Sequence, residues 1–184
     1  MTVIVVPYSE EWPRQYEAVA DGLRRILSQV PVVSIQHVGS TSVPGLAAKP
    51  VLDIDVIVQR EHVPAAIRAL STGGYTHLGD LGLCDREAFH AEQGDPARNV
   101  YLCVEGTLNV RNHLAVRSVL RAHPDLREAY SAVKRELAED PDMTIDRYVA
   151  GKSEILQIVL DHSELTTEEK LAVLHVNVNN VLGS

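Results

Sequence analysis

The feature that most constrains this chain is residues 51–58, VLDIDVIV, an apolar run of strand length with acids at alternate positions. Strand side chains alternate between two faces, so Asp53 and Asp55 project to one side while Leu52, Ile54 and Val56 point into a core. Two carboxylates held that close repel unless a cation sits between them. Mg²⁺, with its preference for oxygen ligands, is the usual solution when phosphates are also present. Asp53 and Asp55 are therefore the candidate metal ligands, and a buried strand of this kind requires neighbouring strands and covering helices.

The rest of the chain supplies them. VVSIQHV (32–38) is a second β-branched strand, and REAFHAE and NVYLCVE, separated by QGDPAR, read as a hairpin. Before the sheet, Ser9 is the expected cap of a helix in which Trp12, Tyr16, Val19, Leu23, Ile26 and Val30 recur at three- and four-residue steps until Pro31 stops it. Pro13 is tolerated there because it falls in the first turn. HVPAAIRALSTGG reads as a helix closed by Gly73 and Gly74. From Asn109 onward the pattern is helical: NVRNHLAVRSVLRAH, DLREAYSAVKRELAE, TIDRYVAGKSEILQIVLDH and TTEEKLAVLHVNVNNVL. The expected architecture is α+β, a mixed sheet followed by a helical half.

Composition excludes some functions. A chain of 184 residues, 45% hydrophobic and 23% charged, can bury one core and reads as one domain. A net charge of -8 works against loose binding to a phosphate backbone, which depends on Lys and Arg, so no nucleic-acid partner is expected. Cys84 and Cys103 form neither a disulfide framework nor a zinc spacing. MTVIVVPYSEEW lacks a basic leader, and no apolar run reaches membrane-spanning length, so the expected setting is cytoplasmic with no membrane partner.

Gly39-Ser40 adds to the acids. A Gly after a strand lets the backbone turn tightly and approach a ligand, and exposed N–H groups with a Ser hydroxyl can hold phosphate oxygens. Gly-Ser, a dozen residues rich in Gly and Pro, then Asp53-x-Asp55 resembles the nucleotidyltransferase superfamily. More narrowly, HVGSTSVPGLAAKPVLDIDV, followed by LAVRSVLRAHPDLREAYSAVKRELA and YVAGKSEIL, resembles the GrpB family across about residues 5–160. The resemblance implies a nucleotidyltransferase-like mixed β-sheet flanked by helices, with a helical C-terminal half and a nucleotide or phosphate ligand. Domains of this type are fused behind dephospho-coenzyme A kinase in some bacteria, which extends the expected ligands to coenzyme A.

The chain departs from that pattern in two places. Where the family carries His-x-His it has Tyr101-Leu102-Cys103, leaving Glu105, on the same alternation as Tyr101 and Cys103, as the candidate third carboxylate or base. Where the family has Phe-Arg-Asp it has Val116-Arg117-Ser118, keeping the base and losing the acid. Arg117 is a candidate phosphate contact beside the buried face marked by Val116 and Leu120. Lys49, just ahead of the acid strand, is another. Tyr148 and Lys152, like Tyr130 and Lys134, are four apart and share a helical face. Of these, Tyr148 and Lys152 join the ligand candidates. His37 reads as a hydrogen-bonded strand residue, and His90, His113 and His123, without metal spacing, as structural.

The sequence thus predicts Mg²⁺-dependent binding of ATP, another nucleotide or a phosphorylated small molecule, with nucleotidyl transfer to a small acceptor. The alternatives are a non-catalytic nucleotide- or coenzyme A-binding module and an enzyme that activates or ligates a small acid. Residues 1–162 form the expected domain. Beyond it, residues 163–184 form an extra helix whose stripe Leu171, Leu174, Val178 and Val181 covers its own domain or a homodimer contact, so monomer and homodimer both stay open.

Overall fold

The structure is a computed structural model that describes residues 3–91 and 96–182, with side chains through 174. Five strands, β1 (Val32–Val38), β2 (Leu52–Val58), β3 (Tyr75–Gly79), β4 (Arg86–Ala91) and β5 (Arg98–Val104), form one sheet in the order β1-β2-β5-β4-β3. Only the β2–β5 pair is parallel. This is the mixed sheet expected from the sequence, with β4 and β5 as the antiparallel hairpin. β2 is an inner strand, covered on both faces. Leu52, Ile54, Val56 and Val58 meet Val100 and Leu102 of β5 in the main core. On that side lie α1 (Glu11–Ile26), with Trp12 and Leu23, and α2 (Val63–Thr72), with Ala66 and Leu70.

The other face of β2 carries Asp53, Asp55 and Ile57, and it is covered by the helical half: α3 (Leu108–Ala122), α4 (Pro124–Glu139), α5 (Ile145–Gly151), α6 (Ser153–Asp161) and α7 (Thr167–Leu182). Ile57 packs with Cys103 and Val110 of α3, so the two acids sit between sheet and helices rather than on an open face.

Three expectations are corrected. Ser9 does accept a hydrogen bond from the Glu11 N–H, but α1 ends at Ile26, and Val30 reaches the core from the turn before Pro31. The single helix expected over 144–162 is broken at Lys152. Gly151 fits closely under Leu137 of α4, where a methyl group would overlap the leucine. Among the described side chains of α7 the buried one is Val173, packed on Leu160 and Leu165, whereas Leu171 is 51% exposed. The rotation is set at the helix start. Thr166 and Glu169 form a reciprocal capping box, and Glu169 also accepts both guanidinium nitrogens of Arg111, turning the face of Glu169 and Val173 toward α3 and α6. The side chains of Val178 and Val181 lie outside the described residues. Among the described residues no helix is long and apolar enough to cross a membrane.

Candidate functional site

The site begins where β1 runs out. Gly39 adopts φ +66°, a conformation open to glycine, and passes so close over Asp53 that a side chain there would overlap its carboxylate. The following turn, Ser40–Ser42, folds back through Ser42 Oγ, which donates to the Gly39 carbonyl at 2.6 Å. Its own bonds leave the N–H groups of Ser40 and Thr41 without an acceptor among the described residues. Beside it, His37 is stacked on Tyr16 and bonded to Thr41 Oγ1 at 3.0 Å. Burial, helped by Arg121 and Arg117, pushes its imidazole down to about 4, which makes it neutral and structural.

Strand register determines the surroundings of the acids. Asp53 is level with Asn99 of β5, and Asn99 Nδ2 donates to Asp53 Oδ1 at 2.8 Å. Burial raises the Asp53 carboxyl, opposed by that hydrogen bond and by the charges of His113 and Lys152. Asp55, at 0% exposure, is level with Tyr101, and its Oδ2 meets His113 Nδ1 of α3 at 2.8 Å. Burial alone would lower the His113 imidazole, but the charge and hydrogen bond of Asp55, with Asp53 behind it, raise it. Asp55 Oδ1 is buried with no hydrogen-bond partner.

Two lysines come from the helical half: Lys134 lies behind the Gly-Ser turn and Lys152 faces Asp53. Lys134 of α4, 1% exposed, donates to Ser40 Oγ at 3.0 Å and lies 4.5 Å over the Tyr130 ring. Burial, with Lys152 and Arg135, pushes its ammonium down to about 6. Lys152, at the break between α5 and α6, lies 4.5 Å over the Tyr148 ring. It is pushed down to about 8 by burial and by Lys49, against the pull of Asp53. Between the two walls is a cleft of 530 Å³ that reaches Ser40, Lys49, Asp53, Tyr101, Tyr148 and Lys152. Arg86 also lines it, over the Tyr101 ring at 4.6 Å.

The donor set fits Mg²⁺ of one kind. Two carboxylates, one with a buried unpartnered oxygen, suit an ion that completes its shell with water and substrate phosphate. No group of three metal-ligating side chains exists among the described residues, so a closed protein cage is not offered.

Residues 2–162 match the family described as GrpB protein. The chain belongs to the GrpB family. It is 29% identical over 183 residues to the UPF0157 protein YqkA of Bacillus subtilis, covering 99% of this chain and 51% of that protein, so it spans about half that relative's length. It is 34% identical over 178 residues to a dephospho-CoA kinase of Mycolicibacterium paratuberculosis, covering 82% of this chain and 43% of the kinase. The crystal structure of GrpB from Enterococcus faecalis superposes with a TM-score of 0.75 at 30% identity, covering 92% of this chain and 99% of that one. A variant of the Cid1 poly(U) polymerase bound to MgATP superposes with a TM-score of 0.60 at 13% identity, covering 89% and 54%. The chain therefore has a fold like that of the Cid1 polymerase.

Of the residues the sequence singled out, this GrpB fold brings Gly39, Ser40, Lys49, Asp53, Tyr148 and Lys152 to the cleft, with Asp55 directly behind. It does not bring Glu105 or Arg117. Glu105 follows β5 at its far end, where its N–H bonds the Val58 carbonyl, four positions beyond the residue level with Asp55. At about 3.3 Å per residue that is on the order of 13 Å. Arg117 donates from Nη1 to the His37 carbonyl at 2.7 Å and to Gln36 Oε1 at 3.1 Å, tying α3 to β1. His113, read as structural, is instead the partner of Asp55 and part of the cleft lining. Asn99, Arg86 and Lys134 were missed. For Lys134 a signal existed: it stands four and eight residues after Tyr130 and Leu126, on the buried stripe of α4.

Proposed function

We propose that the cleft binds a nucleoside triphosphate, or another phosphorylated small molecule of the coenzyme A type, with Mg²⁺ on Asp53 and Asp55, and transfers the nucleotidyl group to a small acceptor. The observation that carries this reading is the buried, unpartnered Asp55 Oδ1 on the same strand face as Asp53, opposite a Gly-Ser turn with unpaired N–H groups and two partly neutralised lysines. Phosphate oxygens accept from the Ser40 hydroxyl and from the Ser40 and Thr41 N–H groups. Lys134 and Lys152 supply positive charge that has no acid partner on their own wall. Asn99 and His113 fix the two carboxylates by occupying one oxygen of each. Mg²⁺ bound there would neutralise charge on the phosphates during displacement. That Cid1 was solved with MgATP, and that a relative is a dephospho-CoA kinase, supports testing these two ligand classes first.

A non-catalytic binding module is the second reading. What favours it is the cleft lining, which among the described residues holds no acid besides Asp53. Thermal denaturation with ATP and coenzyme A species, with and without Mg²⁺, tests binding: a ligand at a hundred times its Kd adds about 2.7 kcal/mol to stability. No shift with any of them would remove both readings. Pyrophosphate release from ATP in the presence of an acceptor then decides between transfer and binding.

A further inference from the structure

The cleft continues past Lys49. A second hollow of 720 Å³ shares Lys49, Val51 and Ile145 with it. Its walls are mainly aliphatic and come from four separate segments, one of them contributing Ala97 alone. Val3 and Ile4 belong to the N-terminal segment, which is fixed by the two backbone hydrogen bonds of the Val6–Ala48 bridge. Pro50 and Val51 lead into β2, and Met143 and Ile145 open α5. The floor is firmly built, since Val3 and Met143 are buried against Tyr148, itself a cleft residue. The rim is not covered: Ile4 is 62% and Ile145 47% exposed. Large aliphatic side chains left in water along a concave groove that opens into a polar cleft are the signature of a ligand with one polar and one apolar end.

Charge decides the polar end. Lys49 stands at the junction of groove and cleft, with no hydrogen bond or salt bridge among the described residues. The groove's acid, Asp142, is in the turn before α5 and does not line the cleft, so a cation drawn to it would be held away from the phosphates. An anionic head at Lys49 faces the reacting end of the cleft, and the apolar body lies on Ile4, Met143 and Ile145.

We propose that this groove is the acceptor subsite for a carboxylic acid with an apolar body. The inference rests on the nucleotide reading of the cleft and names its acceptor class. A carboxylate oxygen attacks the α-phosphorus of the triphosphate, and the bond from that phosphorus to the bridging oxygen of the β-phosphate breaks. Pyrophosphate leaves with the electron pair, and an acyl-nucleotide remains. The attacking carboxylate carries no proton, so the step needs no general base, which suits a cleft whose described lining has no carboxylate to spare from the metal pair.

The test is calorimetric titration of the full chain with octanoate, acetate, octanol and octylamine, followed by pyrophosphate release from Mg-ATP with each. Octanoate is expected to bind at least about tenfold tighter than acetate, because the apolar body contributes most of the affinity. It should also bind tighter than octanol and octylamine and stimulate pyrophosphate release. Ile4→Glu, at an exposed position, should weaken octanoate about tenfold and leave Mg-ATP binding unchanged, and Lys49→Gln should reduce octanoate to the level of octanol. Binding indifferent to head group or to Ile4→Glu, tighter binding of the amine, or octanoate and Mg-ATP both bound with no pyrophosphate release would each overturn the proposal. Mg-ATP binding without octanoate binding would sink the groove inference alone, whereas ordered octanoate binding without Mg-ATP binding would sink the nucleotide reading.

Discussion

The two walls of the cleft bury charge in opposite ways. On the sheet wall, Asp53 and Asp55 each have a local partner, Asn99 across the parallel register and His113 from α3. On the helical side, Lys152 lines the cleft over the Tyr148 ring and Lys134 is buried behind Ser40 over the Tyr130 ring, and neither has a salt bridge among the described residues. The acids are thus held and partly compensated in the free protein, while the lysines are desolvated and pushed toward neutrality, to about 6 and about 8. In the proposed complex a metal-bound phosphate meets both walls, so variants on each wall test the proposal.

The largest expected effect is on the sheet wall. Asp53→Asn and Asp55→Asn should each weaken Mg²⁺-dependent nucleotide binding by about a hundredfold or more, as expected when one of two close charges facing a ligand is removed. They should differ in stability. Asp53→Asn keeps an oxygen for Asn99 and relieves repulsion with Asp55, so the apo protein should be as stable as before or more so. Asp55→Asn deprives a half-buried histidine, whose imidazole the carboxylate raises, of its partner and should cost about 1.5–3 kcal/mol, the worth of a hydrogen bond to a charged group. Urea unfolding of both variants, beside nucleotide titrations with and without Mg²⁺, checks the pair. Equal stability changes would mean that His113 does not couple to Asp55.

Substitution of Lys134, on the helical side, should gain stability where Asp55→Asn loses it. Lys134 titrates near 10.5 in the unfolded chain and near 6 in the fold. Between those values the unfolded chain binds more protons, so this group's effect is a loss of stability as pH falls from about 10 to about 6, levelling off below. Lys134→Met should remove that slope and stabilise the apo protein near neutral pH by about 1–4 kcal/mol, as apolar replacements of buried charge do. It should at the same time weaken phosphate binding. In the unaltered protein, an anion at Ser40 raises the Lys134 ammonium, so nucleotide binding near neutral pH should take up protons, read as a difference in binding heat between two buffers of unlike ionisation enthalpy. A variant less stable than the parent at neutral pH, or heats that do not depend on buffer, would assign Lys134 a purely structural part.

These contrasts also separate what the sequence could reveal from what it could not. The sheet wall was legible because strand alternation is a local rule: Asp53 and Asp55 in VLDIDVIV had to share a face, and Gly39-Ser40 had to turn after β1. Their partners were not legible, because Asn99 and His113 meet the acids through the β2–β5 register and the placement of α3, which no local pattern encodes. Glu105 was chosen by alternation alone, which gives the face but not the level along the strand. Lys134 went unrecognised because lysines on helices usually lie in solvent, although its place on the stripe of Leu126 and Tyr130 pointed inward. Arg117 was rightly set near the buried face, yet its guanidinium is used by the β1 backbone. The break at Lys152 was not legible either: it follows Gly151, which packs under Leu137 of α4, a tertiary contact that no local pattern encodes.

A smaller effect is expected where the two walls touch. Ser40→Ala removes the hydroxyl that receives Lys134 and should weaken nucleotide binding by about tenfold, one hydrogen bond of on the order of 1 kcal/mol plus a less well placed lysine. The turn itself should survive, since it is closed by Ser42 and by the backbone. Affinity unchanged within twofold would return Ser40 to an ordinary turn residue and leave the backbone N–H groups as the whole of the phosphate cradle.

The smallest expected effect belongs to the residue that the sequence placed in the site and the fold does not. Glu105 is exposed at the end of β5, where its N–H continues the parallel ladder to Val58, so its side chain faces solvent while its backbone holds the strand pair. Two residues back on the same alternation, Cys103 is fully buried against Ile57 and Val110, and that packed layer separates Glu105 from Tyr101 and the acids. A carboxylate about 13 Å along the strand from the level of Asp55 cannot share an ion with it, because Mg²⁺ holds its ligands at about 2.1 Å. Glu105→Gln should therefore leave stability within about 0.5 kcal/mol and nucleotide binding and any pyrophosphate release within twofold. A loss comparable to that of Asp53→Asn would mean that β5 shifts on ligand binding by enough to carry its end into the cleft, and the comparison of the two walls would have to include a third, moving one.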